Sequence, residues 1–424
     1  MVPVNHSLVF DFGPQDALFS SAFSILRDAI AHRAFPTASV AITHRGRLIA
    51  LKSFGRFIYE TNRAGAPSLS LPGLERQGGN FDVNPSTPFD LASITKVVAT
   101  TMAAILYERG LLELDAAIAG AIPEFMADST GAIDPRRRDV TFRMLLAHSS
   151  GLPAYEKLFL RCHEREELFQ AAFRIPLTAH PGVRAEYSDI GFIILGIALE
   201  RIAGESLDRF CQREIFGPLG MTHTTFNPPP ELRDEIPPTA DERSCGADTC
   251  GADTPVRAKQ NSYHTPNESH ISSAIHPRST FRRRIIQGEV QDENAFVLGG
   301  VAGHAGLFST ADDLARFAHA MLNRNSILRS ETISLFTRRQ PSPPGTSRAL
   351  GWDTPSHPSQ SGKHFGPRSF GHLGYTGTSL WIDPDRELSI ALLTNRTWPD
   401  CSNQAIKQFR PTFHDAVIEA LRDG

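Results

Sequence analysis

The sequence predicts an α+β fold: an antiparallel sheet built from both chain ends and flanked by helices, with an inserted, mainly helical lobe. Three observations predict it. Two hairpin patterns stand at opposite ends of the chain, over residues 38–51 and 378–394. Between them, from residue 93 to about 228, the pattern is mainly helical, and a run over 97–106 is apolar nearly all round, as in a core helix. A last helical period follows the second hairpin.

Taken in order, Phe19, Phe23, Leu26 and Ile30 recur at a helix period over 17–32, a run ended by Pro36. Residues 38–43 and 48–51 flank His44-Arg-Gly-Arg47 and read as a hairpin with Gly46 in its turn. Residues 62–86, rich in Gly, Pro, Ser and Asn, read as an exposed loop leading to a helix at Ser93. Ser309-Thr310 with Asp312 and Asp313, ahead of Leu314, Phe317 and Met321, mark a capped helix start. Residues 378–382 and 388–394 form the second hairpin around Asp383-Pro-Asp-Arg386. Phe413, Val417, Ala420 and Leu421 mark a closing helix. The expected division is one catalytic domain over 1–424, with an α/β lobe (17–92 and 286–424), a helical lobe (93–228) and a flexible insertion (229–285). That insertion is rich in Pro, Ser, Thr and Arg and poor in large apolar residues. A catalytic cleft belongs where the lobes meet.

Composition narrows the function. With 424 residues the chain can bury one large core or two lobes sharing one. A hydrophobic share of 41% and a charged share of 21% are those of a soluble globular protein. A net charge of −3 gives no case for nucleic acid or an anionic membrane as partner. No apolar run reaches the roughly 18 residues of a membrane helix. No Lys or Arg precedes Arg27, and Asp11, Gly13, Pro14 and Asp16 interrupt any apolar stretch, so a cytoplasmic protein is expected. The five cysteines (Cys162, Cys211, Cys245, Cys250, Cys401) are odd in number and irregular in spacing, which reads as free thiols in a reducing compartment. Cys245 and Cys250 belong to a duplicated Cys-Gly-Ala-Asp-Thr, taken as repeated loop rather than a metal site.

The chemistry is carried by Ser93-Ile-Thr-Lys96, Tyr187-Ser-Asp189 and His372-Leu-Gly374. A Ser and a Lys three apart on a helix share a face, about 5–6 Å between Cβ atoms. A lone match arises about once per 400-residue chain by chance, so its place at the head of a buried helix is what counts. There Ser93 is expected as nucleophile, favoured by the helix N-terminus. Lys96, one turn in and desolvated, is expected to have a lowered pKa and to act as base. Tyr187 adds a second proton carrier: a phenol ionises near 10 in isolation, and a neighbouring ammonium favours phenolate. Asp189 either orients Lys96 or the substrate, or caps the helix beginning at Ile190. His148 is expected as a structural hydrogen-bonder and His304 as packing in a glycine-rich turn. No metal-ligand cluster appears, so no metal or other cofactor is expected.

Around these motifs the chain resembles the serine β-lactamase, DD-peptidase and esterase family, in its class C-like branch. The resemblance rests on residues 87–106, on 140–153 (Val-Thr-Phe-Arg-Met-Leu-Leu-Ala-His-Ser-Ser-Gly-Leu-Pro) and on Pro181-Gly182 before Tyr187. Pro218-Leu-Gly-Met221, the run over 299–307 and the run over 371–379 complete it. It implies a β-lactamase/transpeptidase-like fold and a serine hydrolase of amide, peptide or ester bonds that works through an acyl-enzyme. The oxyanion hole then consists of the backbone N–H groups of Ser93 and Tyr375, with Asp189, His372 and Gly374 lining the substrate site. Gly374 and Gly377 let a substrate approach the strand closely. His372 departs from the Lys that usually opens the third motif and helps hold a substrate carboxylate. A mostly neutral His makes that anchor weaker and demotes antibiotic hydrolysis. A small molecule or short peptide is the expected partner. The alternatives are a β-lactamase or DD-carboxypeptidase proper and, from another class, a non-catalytic binding or scaffold protein.

Overall fold

A computed structural model describes residues 8–59, 82–243, 281–322 and 326–423. In chain order its strands are β1 (Val9–Phe10), β2 (Thr37–His44), β3 (Arg47–Gly55), β4 (Phe89–Asp90), β5 (Thr225–Phe226) and β6 (Ala240–Asp241). β7 (Ile285–Ile286), β8 (Leu307–Ser309), β9 (Phe370–Leu373), β10 (Ser379–Asp383) and β11 (Leu388–Thr394) follow. The main sheet has the order β1-β3-β2-β11-β10-β9. The late strand β11 therefore lies in the middle, paired along its length with early β2 from Leu388↔His44 to Thr394↔Ala38. All pairings are antiparallel except β1 with β3, which is parallel. A two-residue strand carries no readable period, and β1 was not anticipated.

Period-two alternation sets the two faces of the sheet. Val40, Ile42, Ile390 and Leu392 point to one face and pack with Phe23, Leu26, Phe409 and Phe413. Those phenylalanines and Leu26 come from helices Ser20–Ala31 and Ile406–Asp423, the two helices expected at the chain ends. Each such buried side chain contributes roughly 1.5–3 kcal/mol. Ala41, Ala391 and Leu393 face the other way and join the larger core shared with the helical lobe. The small alanines let helix Ala311–Leu322 lie close against β2 and β11. The first hairpin turns at Arg45 (φ 48°) and Gly46 (φ 77°), the double positive φ of a tight turn that follows strand twist.

Helix Thr95–Glu108 is buried continuously from Thr95 to Leu106, as its apolar circumference demands. Helix Asp189–Ala203 begins at Ser188, whose Oγ accepts the Gly191 N–H at 3.0 Å, and ends at Gly204 in the left-handed region. Within 229–285, residues 230–235 form a 3₁₀ turn and β6 pairs with β7. Residues 244–280, which include Cys245 and Cys250, and the loop residues 60–81 lie outside the described residues. Cys162 and Cys211 are free and buried. Cys401, however, is disulfide-bonded, which corrects the expectation of five free thiols. Sequence spacing alone does not carry pairing. Among the described residues no helix is long and apolar enough to cross a membrane.

Candidate active site

The nucleophile turn is built by hydrogen bonds that come from far along the chain. β4 ends at Asp90, and Ala92 follows with a φ of 46°, a strained value for a residue with a Cβ. Asp90 holds this turn with both carboxylate oxygens. Oδ1 accepts the Ala92 N–H at 2.8 Å and Oδ2 the Gln291 N–H at 2.7 Å. Thr376 and Thr378, beyond β9, donate their hydroxyls to the carbonyls of Asp90 (2.7 Å) and Leu91 (3.0 Å). Ser93 sits in the resulting 3₁₀ turn Ala92–Ile94, at the head of helix Thr95–Glu108.

Lys96 rises from that helix into a wholly buried position with three oxygens around its ammonium. Nζ donates to Ser93 Oγ at 2.9 Å and to the His304 carbonyl at 3.0 Å, and lies 2.6 Å from Asp189 Oδ1. A carboxylate this close to the ammonium, with further oxygens beside it, favours the charged form. Burial is the largest single influence and pulls the pKa down, but Asp189 and Tyr187 together outweigh it and leave the ammonium above its ordinary value. The sequence-based expectation of a lowered Lys96 pKa is therefore corrected. It counted the desolvation and not the carboxylate.

Asp189 is the first residue of its helix, yet the capping belongs to Ser188; the Asp189 carboxylate goes to Lys96. Tyr187, two residues earlier, brings its ring to 4.9 Å from the Lys96 nitrogen, and its hydroxyl interacts with Lys96 and Ser93. Burial holds the phenol above its ordinary pKa, and Asp189 adds to this, against the opposing pull of Lys96. The ring rests on His148 at 4.6 Å between centroids. His148 itself accepts the Ser188 N–H at 3.0 Å, and burial holds it neutral. It is the structural hydrogen-bonder expected.

The third segment closes the cleft from β9. His372 lies 2.8 Å from the Leu373 carbonyl through Nδ1, which places the ring proton there and leaves a bare lone pair on the buried Nε2. Burial, then the charge of Lys96, pushes its pKa down to about 3, despite the Leu373 carbonyl. Gly374 has a packing reason of its own. A Cβ there would meet Thr378 Oγ1 at 1.9 Å and the Leu91 carbonyl at 2.4 Å, so the glycine admits the protein's own nucleophile turn. Tyr375 follows it in the turn before β10, across from that same stretch. Ser93 and Tyr187 remain partly exposed, while Lys96 is buried.

Three contacts were not read from the sequence: those of the His304 carbonyl, of Asp292 and of Asp90. The His304 carbonyl reaches Lys96 because Gly303 packs on helix Asp189–Ala203: a Cβ on Gly303 would sit 2.4 Å from the Phe192 carbonyl. The His304 ring is held by Asp292, 2.9 Å from Nε2, so it does more than pack. The repeated glycines of 299–306 were a signal of close approach, but Asp90 and Asp292 carried none. Among the described residues no group of three or more His, Cys, Asp or Glu is placed to hold a metal ion.

Several known proteins are similar to this chain. A sequence model of the family described as Beta-lactamase matches residues 23–408. An N-acetylmuramyl-L-alanine amidase of Bacillus subtilis (strain 168) is 32% identical over 379 residues, covering 85% of this chain and 77% of that protein. A putative D-alanyl-D-alanine carboxypeptidase of Escherichia coli (strain K12) is 32% identical over 327 residues, covering 73% and 69%. In three dimensions the chain is similar to EstCE1, a hydrolase with promiscuous acyltransferase activity (TM-score 0.66, 19% identity, covering 95% of this chain and 99% of that one).

Proposed function

The chain belongs to the beta-lactamase family of serine hydrolases, and on that premise we propose that Ser93 is its nucleophile, with Lys96 and Tyr187 sharing the proton work. One observation carries the assignment: buried Lys96 Nζ donates at 2.9 Å to the Oγ of Ser93, which, like Tyr187, is partly exposed. Ser93 Oγ attacks the carbonyl of an amide, peptide or ester. Once the Lys96–Tyr187 pair has lost one proton to solvent it takes the Ser93 proton and then hands it to the departing nitrogen or oxygen. Water deacylates the enzyme by the same route reversed. The pair acts as one titrating unit, with Asp189 as the residue that holds Lys96 in place. The backbone N–H groups of Ser93 and Tyr375 receive the oxyanion, a role worth about 3–4 kcal/mol per donor in other hydrolases.

The substrate we favour is a small peptide or amide derived from the cell wall, since the matched relatives are named an amidase and a carboxypeptidase. A neutral His372 supports placing β-lactam hydrolysis second. A non-catalytic role is disfavoured by the joint presence of Ser93, Lys96 and Tyr187 at one locus. Cytoplasmic location was read from the sequence. The disulfide at Cys401 runs against it, because such bonds persist in oxidising compartments, and cell fractionation decides between the two.

The test is turnover of a p-nitrophenyl ester series, a muramyl-L-alanine amide and a chromogenic cephalosporin by wild type and Ser93→Ala. Loss of ester and amide turnover in the variant, with an acyl adduct on Ser93 in wild type, is expected. Retained turnover in Ser93→Ala would reject the assignment.

A further inference from the structure

The turn that joins β9 to β10 is held from behind by two buried guanidinium groups. Arg410, on helix Ile406–Asp423, is 5% exposed, and its Nη2 donates to the carbonyls of Gly374 (2.9 Å) and Thr378 (3.0 Å). Arg396, just past β11, is 1% exposed, and its Nε donates to the Tyr375 carbonyl at 2.6 Å. The Arg396 guanidinium carbon lies 4.4 Å from the centroid of the Tyr375 ring, and Nη1 reaches the carbonyls of Cys401 (3.0 Å) and Asn403 (3.1 Å). The Arg396 backbone N–H and the Thr394 hydroxyl both donate to the Thr376 carbonyl, at 2.9 and 3.2 Å. The carbonyls of residues 374, 375, 376 and 378 are thus all fixed from elsewhere in the chain.

Which carbonyl each guanidinium holds matters more than the number held. A trans peptide unit is planar, so the N–H of Tyr375 points opposite to the Gly374 carbonyl. Holding that carbonyl therefore sets the direction of the Tyr375 N–H. The Arg396 contact, on the Tyr375 carbonyl, fixes the peptide on the other side of the same Cα. A cation on a carbonyl oxygen also draws electron density along the amide and makes its N–H a stronger donor. The nucleophile turn abuts the same end of the hairpin. Thr376 and Thr378 donate to the Asp90 and Leu91 carbonyls, and a Cβ on Gly374 would lie 2.4 Å from the Leu91 carbonyl. The donor that Arg410 orients thus belongs to the segment packed against the turn of Ser93.

We propose that Arg410 is a positioning residue for the oxyanion: through the Gly374 carbonyl it aims and polarises the Tyr375 N–H, while Arg396 fixes the peptide that follows. This deepens the hydrolase assignment and rests on it, with Tyr375 as an oxyanion donor. Removing such a donor outright lowers kcat about a hundredfold to a thousandfold in other hydrolases, so a donor left in place but unaimed is expected to lower it about tenfold to a hundredfold.

The experiment compares full-length wild type with Arg410→Met, which keeps bulk without donors, and Arg410→Lys, which keeps charge without the fork. A p-nitrophenyl ester with an isotope-labelled carbonyl acylates each protein, and the acyl carbonyl stretch is read by infrared difference spectroscopy beside kcat and KM. In wild type the band is expected below that of the same adduct unfolded in urea, because donors to the carbonyl oxygen lower its frequency. In Arg410→Met the band moves back up and kcat falls at least about tenfold with KM nearly unchanged, and Arg410→Lys is intermediate. A merely structural Arg410 changes how much acyl-enzyme forms and leaves its band in place. A band at the wild-type position in Arg410→Met, or an unchanged kcat, therefore overturns the proposal. So does a wild-type band no lower than that of the unfolded adduct. Far-UV circular dichroism identifies a variant that has not folded, and Arg410→Lys then decides alone: a band at the wild-type position overturns the proposal, and an upward shift supports it. If wild type forms no acyl-enzyme at all, the hydrolase assignment fails and takes this proposal with it, whereas a band indifferent to residue 410 sinks this proposal alone.

Discussion

The Lys96 ammonium stands 2.6 Å from Asp189 Oδ1, with the two side chains only 0% and 5% exposed. This pair decides the charge state of the site. Burial favours the neutral amine, while the carboxylate favours the ammonium, and the net shift of Lys96 is upward. Removing the charge at 189 therefore lowers the Lys96 pKa. In Asp189→Asn the ascending limb of kcat/KM against pH is expected to move to lower pH by at least about one unit, since one unit corresponds to only about 1.4 kcal/mol. The same change leaves a buried cation unpaired and should cost about 3–5 kcal/mol of stability. A limb that stays in place shows that Asp189 does not govern Lys96.

His372 stays neutral far below physiological pH, with its pKa near 3. It follows that the activity profile between pH 5 and 8 contains no step from this residue. The profile of His372→Gln, normalised to its own maximum, should superimpose on that of wild type over this range. His372→Lys places a second ammonium near Lys96 and should raise kcat/KM for carboxylated esters relative to neutral ones. If that ratio is unchanged, charge at 372 has no part in selection.

Glu293 is a buried carboxylic acid whose pKa burial raises to about 8, with the nearby Asp292 adding to the effect. An acid with a raised folded-state pKa binds its proton more tightly when folded than when unfolded. Its favourable contribution is complete below pH 4.5 and is lost as pH rises toward 8. Glu293→Gln keeps the shape and removes the ionisation. Melting temperatures of variant and wild type should agree near pH 4 up to a constant offset, and the variant should gain several degrees by pH 9. Parallel curves across the range would mean that Glu293 does not titrate there.

Gly303 has no room for a methyl group beside the Phe192 carbonyl. Gly303→Ala is expected to lose about 1–3 kcal/mol from overpacking, read as an earlier urea midpoint. It should also lower kcat more than it raises KM, because the adjoining His304 carbonyl holds Lys96. A fall in stability with unchanged kcat would uncouple that carbonyl from catalysis.

What the sequence revealed follows from how local each feature is. The hairpin at Arg45-Gly46 and the helix Ser20–Ala31, which stops ahead of Pro36, are set locally, and both were legible. So were Ser93, Lys96 and Tyr187, whose side chains converge as their motifs implied. The state of Lys96 was not, because it depends on a residue 93 positions away whose two possible partners were equally open. Asp90 looked like any acidic residue before a helix. Its value lies in holding Gln291, 201 residues on.

The placement of β11 between β2 and β10 also sets a timetable for synthesis. Until residues 388–394 have left the ribosome, the early hairpin has no central partner, and β9 and β10 have nothing to join it through. Ser93 and Lys96 are made early but wait for Thr376 and Thr378 before their turn is pinned. A nascent or prematurely terminated chain is thus a silent hydrolase, and reactivity toward acyl compounds begins only when the sheet closes.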